Sequence, residues 1–93
     1  MTAIIDKASR WEVSGDIGMD NANSLLVSSK ALVLADNAEV DFSQVGEVDT
    51  SAVSLMLEWQ RRAAREKKKI TFVNLPKNLT SLMDLYGVTG LMT

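Results

Sequence analysis

The chain has no cysteine, no histidine, a single proline and few aromatic residues, two Trp, one Tyr and two Phe. Without cysteine there are no disulfides and no thiol chemistry. Without histidine as well, the ligands from which zinc sites are usually built are missing. No stretch approaches the ~18 apolar residues of a membrane span. Met1–Lys7 lacks the apolar core of a secretory leader. Charge of one sign is also scarce: the formal net charge is −2, which gives no overall drive towards nucleic acid. No motif implies a cofactor.

What is present is the material of one small domain. The 93 residues leave no room for a second core, so residues 1–93 are read as a single domain. Hydrophobic residues make up 46% of the chain, too many for a disordered one. A domain of this size hides roughly two-thirds or less of its unfolded surface, so a permanent partner would add to a modest stability.

Periodicity divides the chain. Ile4-Ile5, a turn at Lys7-Ala8-Ser9 and the alternation Arg10-Trp11-Glu12-Val13 predict an N-terminal hairpin, broken at Gly15, Asp16 and Gly18. Ala22, Leu25, Leu26, Ser29, Leu32 and Val33 form one helical stripe, with Asp20 or Asn21 as N-cap and Asp36-Asn37 as the stop. Val40 and Phe42 mark a strand from about Glu39, and Ser43–Val48 is expected to be a loop. A second helix is expected over Thr50–Arg65, with Val53, Met56, Leu57, Ala63 and Ala64 facing the core. Ile70–Val73 reads as a strand. A third helix starts near Asn78, carries Leu79, Leu82, Met83 and Tyr86, and stops at Gly87. Strand–helix–strand units favour parallel neighbours, and the hairpin adds an antiparallel pair. The fold class is therefore α/β, with a small mixed sheet and helices mainly on one face.

The stretch Val40–Ala52 carries the most chemistry. It leads from a strand into the start of the second helix, where backbone N–H groups lack partners and the helix dipole is positive. Asp49, Thr50 and Ser51 all suit such a position. The simplest reading makes one of them the N-cap. The sharper one makes the Thr50 and Ser51 hydroxyls an exposed recognition or modification point, where a phosphate would be favoured. The two are compatible. An enzyme would need a convergent acid, base and nucleophile. Asp41 and Asp49 are the only carboxylates that suggest a pair, and no Ser-His or Cys-His partner or glycine-rich phosphate loop accompanies them. Arg61, Arg62, Arg65 and Lys67–Lys69 read as a solvated helix end rather than a nucleic-acid patch, with orientation of a partner or contact with anionic lipid as alternatives; Trp59 reads as a core residue, with an interface anchor as the alternative.

Val40-Asp41-Phe42-Ser43 followed by Val48-Asp49-Thr50-Ser51-Ala52 resembles the signature of STAS domains, found in sulfate transporters and anti-sigma-factor antagonists. Ser14-Gly15-Asp16-Ile17 resembles the family's turn before its first helix, and Ala52 replaces the usual glycine. Leu57–Ala63, Phe72–Leu79 and Leu85–Val88 look more particularly like the STAS subunit (MlaB) of the Mla phospholipid-transport ABC transporter. The resemblance implies a non-catalytic, cytoplasmic accessory subunit, peripheral at the inner membrane through the complex. It would bind the transporter's ATPase subunit beside a permease and a lipid-binding subunit, and would help maintain outer-membrane lipid asymmetry. Thr50 matches the hydroxyl used at the ATPase contact, and Ser51 the serine that anti-sigma-factor antagonists have phosphorylated. Asp49, Thr50, Ser51, Val53 and Ser54 are thus the candidate partner-binding residues, with Ser51 a possible phosphorylation site. The alternative is an anti-sigma-factor antagonist regulated by serine phosphorylation in a partner-switching system.

Overall fold

The computed structural model describes residues 3–88; Met1 and Thr2, part of the segment read for a leader, lie outside them. The elements are β1 (Ala3–Lys7), β2 (Arg10–Ile17), α1 (Ala22–Lys30), β3 (Asn37–Val48), α2 (Thr50–Arg65), β4 (Lys69–Val73) and α3 (Lys77–Leu85). The strands form one sheet in the order β1-β2-β3-β4. β1 and β2 pair antiparallel across the turn at Ala8-Ser9, whereas β2–β3 and β3–β4 are parallel. The sheet is therefore mixed, and the fold is α/β as the sequence implies.

Alternation along the strands sets the two faces. Trp11, Val13, Ala38, Val40, Phe42, Ile70 and Phe72 are buried. Between them, Arg10, Glu12, Glu39 and Thr71 belong to the other, wetter face. The three helices supply Leu25, Val53, Met56, Trp59, Leu79 and Met83 to the same core. Trp59 is the hub. It meets Trp11 and Phe42 edge to face, with ring centroids 5.8 and 6.5 Å apart. Its indole N–H donates to the Ser29 Oγ at 2.8 Å. Trp59 is thus a core residue and not a partner-facing anchor.

Several boundaries differ from the sequence reading. β2 does not stop at Gly15 but continues to Ile17, with Gly15 at φ 87° beside a shift in the pairing register. Ser43–Val48 is not a loop. Gln44, Val45 and Val48 pair with Ser14, Gly15 and Ile17, so β3 is twelve residues long. α1 ends at Lys30, well before Asp36-Asn37, and Leu34 enters the core while Val33 is 73% exposed. On α2, Ala64 is exposed, and Leu55 joins the core. Tyr86, expected on the apolar stripe of α3, is 56% exposed.

The basic end of α2 is not merely solvated. Arg62 donates to the carbonyls of Ser29 at 2.8 Å and Leu32 at 2.6 Å, tying the end of α2 to the end of α1; the Ser29 carbonyl also accepts the Leu32 N–H at 3.0 Å. Its guanidinium also lies 5.6 Å from the Trp11 ring centroid. Lys68 donates to the Leu34 carbonyl. α2 itself closes with Lys67 at φ 57°, its N–H bonded to the Ala64 carbonyl and that of Lys68 to the Ala63 carbonyl. This is the two-bond helix stop usually made with glycine. α3 closes in the same way with Gly87 at φ 65°, so the sequence placed that stop correctly.

Candidate functional site

The site begins one residue past the end of β3. The Asp49 N–H bonds to the Ile17 carbonyl at 3.1 Å, which holds the end of β3 against β2. From there the chain turns directly into α2. Asp49 is the N-cap, in extended backbone, and its Oδ1 accepts the Ser51 N–H at 2.8 Å. Its Oδ2 accepts the Met19 N–H at 3.1 Å. One carboxylate therefore ties the helix start to the loop between β2 and α1. These donors, the Ser51 N–H foremost, hold the Asp49 carboxyl below its ordinary pKa. Space is tight at Gly18: a Cβ there would lie 3.1 Å from the Asp49 Oδ2 and would press on the cap.

The five residues singled out in the sequence have different surroundings. Thr50 and Ser54 are exposed, one turn apart on the outer side of α2. Asp49 is exposed but committed as a cap. Ser51 is half-buried, and its N–H bonds to the Asp49 carboxylate. Val53 is only 5% exposed and belongs to the core. Its edge nevertheless helps line a shallow groove of about 370 Å³ with Thr50, Ser54, Leu57, Tyr86 and Val88. Sequence reasoning did not connect Tyr86 and Val88 with this site, because they come from the far end of α3. It also passed over Met19, which is 82% exposed and whose N–H bonds to the Asp49 cap. The available signal was a large apolar side chain in a polar turn.

The imagined carboxylate pair does not exist as a unit. Asp41 is on the sheet face opposite the helices, between the buried Val40 and Phe42. Arg10 meets its Oδ2 at 2.5 Å, while the Asn74 amide and the Ser43 N–H bond to its Oδ1 at 3.0 and 2.9 Å. Arg10 above all, with these amides, holds Asp41 well below the usual carboxylate range. Both aspartates are thus engaged in separate structural bonds. Among the described residues, no cluster of three or more Cys, His, Asp or Glu side chains is placed to hold a metal ion, and no helix is long and apolar enough to cross a membrane.

A mixed sheet with helices on one face and an acid-capped helix leaving its parallel half is the architecture of a STAS domain. The fold is similar to the crystal structure of a sulfate transporter family protein from Wolinella succinogenes, with a TM-score of 0.74 and 11% identity over 91% of this chain and 70% of that one. It is also similar to the anti-sigma factor antagonist SpoIIAA in its unphosphorylated form, with a TM-score of 0.63 and 10% identity over 91% and 83% of the two chains. At such identities the likeness is one of fold. No curated protein is similar enough in sequence to match the chain. The family described as "Mlab, STAS domain" matches residues 1–93, and the chain belongs to that family. Its domains are generally regulatory or accessory rather than catalytic.

Proposed function

We propose that this domain is a non-catalytic accessory subunit that docks, through the start of α2, onto the ATPase subunit of a phospholipid-transport ABC transporter at the cytoplasmic side of the inner membrane. The observation that carries this reading is the exposure of the helix tip. Thr50 and Ser54 stand open beside an apolar groove completed by Leu57, Tyr86 and Val88. Leu85 and Tyr86 extend that apolar surface at 74% and 56% exposure. Hydroxyls flanking an apolar groove suit the packing of a partner helix with polar contacts at the rim. Docking there would favour the assembled ATPase by mass action. Membership of the Mlab-type STAS family supports the choice of partner.

The alternative is an anti-sigma-factor antagonist switched by phosphorylation of Ser51. The geometry favours it less. Ser51 is half-buried and its N–H bonds to the Asp49 carboxylate at 2.8 Å, so a phosphate on its side chain would stand close to that carboxylate.

The test is co-purification of the ATPase with tagged protein carrying Thr50→Arg together with Ser54→Arg. Both side chains point away from the core, so the fold is expected to survive, checked by circular dichroism. Loss of the ATPase with a folded domain is the expected result. Retained association and unchanged ATPase activity would refute this docking face. Recovery of phosphorylated Ser51 with a bound serine kinase would favour the alternative.

A further inference from the structure

At the opposite end of α2 the surface has another character. Residues 61–69 hold six of the chain's ten Lys and Arg and one acid, Glu66, a local charge of +5 (6 − 1) in a protein of net charge −2. Two of the six are consumed internally, Arg62 by the end of α1 and Lys68 by the Leu34 carbonyl. Lys67 and Lys69 are exposed and, among the described residues, make no ion pair.

This basic end flanks an open strand edge. β4 is last in the sheet order, paired on one side with β3. No described strand lies on its other side, so alternate backbone groups of Lys69–Val73 face outward. Beside that edge a groove runs between α2 and β4, lined by Gln60, Ala63, Ala64, Ile70 and Thr71 with Lys68 and Lys69 at its rim. No carboxylate lines it. The small Ala63 and Ala64 leave space for side chains of an added strand. Edge lysines often serve only to keep strands of other copies away. Here they accompany an apolar groove floor, which repulsion alone does not require.

We propose that the outer edge of β4 receives an extended acidic segment of a partner protein as a fifth strand. Backbone hydrogen bonds to β4 would hold it, alternate side chains would enter the groove over Ala63 and Ala64, and its carboxylates would meet Lys67 and Lys69. This surface is remote from Thr50 and Ser54, and the inference does not depend on the docking reading above.

The probe is a ten-residue peptide of alternating glutamate and valine, with an alternating lysine and valine peptide as control. Amide hydrogen exchange is followed in the full chain. The glutamate peptide is expected to slow exchange of outward amides within residues 69–73 roughly tenfold, and the lysine peptide to leave them unchanged. Lys67→Glu with Lys69→Glu should weaken binding about tenfold, as should a rise from about 0.05 to 0.5 M salt. Thr50→Arg with Ser54→Arg should leave it intact. Unchanged β4 exchange, equal protection by both peptides, or protection that appears without peptide as protein concentration rises would each overturn the proposal; the last would assign the edge to a second copy. Binding of phosphatidylglycerol vesicles through Lys67 and Lys69, with no response to the peptide, would overturn it in favour of a lipid surface.

Discussion

The Asp49 carboxylate accepts the Met19 N–H at 3.1 Å while capping α2 through Ser51 at 2.8 Å. A residue that the sequence offers as a partner contact therefore also holds two backbone segments together. Asp49→Ala should cost about 0.5–2 kcal/mol, the usual range for a lost N-cap. Asp49→Ser should cost less, because a shorter side chain still reaches the Ser51 N–H. Chemical denaturation of the two variants checks the order. Asp49→Lys is accordingly a poor test of docking, since it removes the cap as well.

Asp41 and Asp49 make stability depend on acid in a definite direction. Both are held below the ordinary carboxylate pKa, by Arg10 foremost for Asp41 and by the Ser51 N–H foremost for Asp49. Their contribution is therefore complete above the unfolded value of about 4 and is lost as pH falls through the folded values. Asp41→Asn should destabilise the domain at pH 7 by about 2 kcal/mol, because Arg10 loses the buried carboxylate it meets at 2.5 Å and keeps the more exposed Glu39 at 3.1 Å. The difference from the parent should shrink steadily between about pH 4 and pH 2. Urea unfolding at several pH values measures it. A difference that stays constant over that range would show that Asp41 is not held low.

Ser29 and Trp59 form a buried polar pair. Ser29 is 1% exposed, donates to the Leu26 carbonyl at 2.7 Å and accepts from the indole at 2.8 Å. Ser29→Ala leaves the indole N–H without an acceptor and should cost about 1–3 kcal/mol. In a background of Trp59→Phe, the same change should cost clearly less, since there is no donor left to strand. A double-mutant cycle by thermal denaturation decides it.

The arginines near the end of α2 should separate sharply. Arg62→Met removes the donors to the Ser29 and Leu32 carbonyls and the cover over Trp11, at about 1–3 kcal/mol. Arg61, 61% exposed and paired to Glu58, should matter by less than about 0.5 kcal/mol when changed to alanine.

Lys67 sits in the left-handed region at φ 57°. There a Cβ costs roughly 1–2 kcal/mol, against about 0.5–1 kcal/mol for glycine's greater freedom in the unfolded chain. Lys67→Gly should thus raise stability by about 0.5–1 kcal/mol. Asn74, at φ 56°, should not behave alike, because its amide also bonds to Asp41 at 3.0 Å. A rise in Tm for the first substitution and a fall for the second is the expected pattern.

The start of α2 was legible because local chemistry decides it: an aspartate followed by a run of helix formers caps itself, and the helix spans Thr50–Arg65 as the spacing implies. The second half of β3 was not. Ser43, Gln44, Gly46 and Glu47 look like a loop, and only pairing with a distorted β2 keeps them extended. Asp16 helps, its Oδ1 accepting the Glu47 N–H at 2.9 Å. The end of α1 was misread for a similar reason. Leu32 and Val33 continue a helical period, but the chain has already turned so that Leu34 can enter the core, and Arg62 donates to the Leu32 carbonyl from 30 residues away. The hydroxyls at the helix tip were visible; the groove beside them needed the far end of α3 to be brought alongside.

With sixteen residues, α2 is about 24 Å long, close to the breadth of a body measuring 30 × 29 × 20 Å. Its acid-capped beginning and its cationic finish therefore emerge at opposite poles. A molecule seated at one pole does not crowd the other, so the domain has the geometry of a rivet through which two separate bodies could be joined simultaneously.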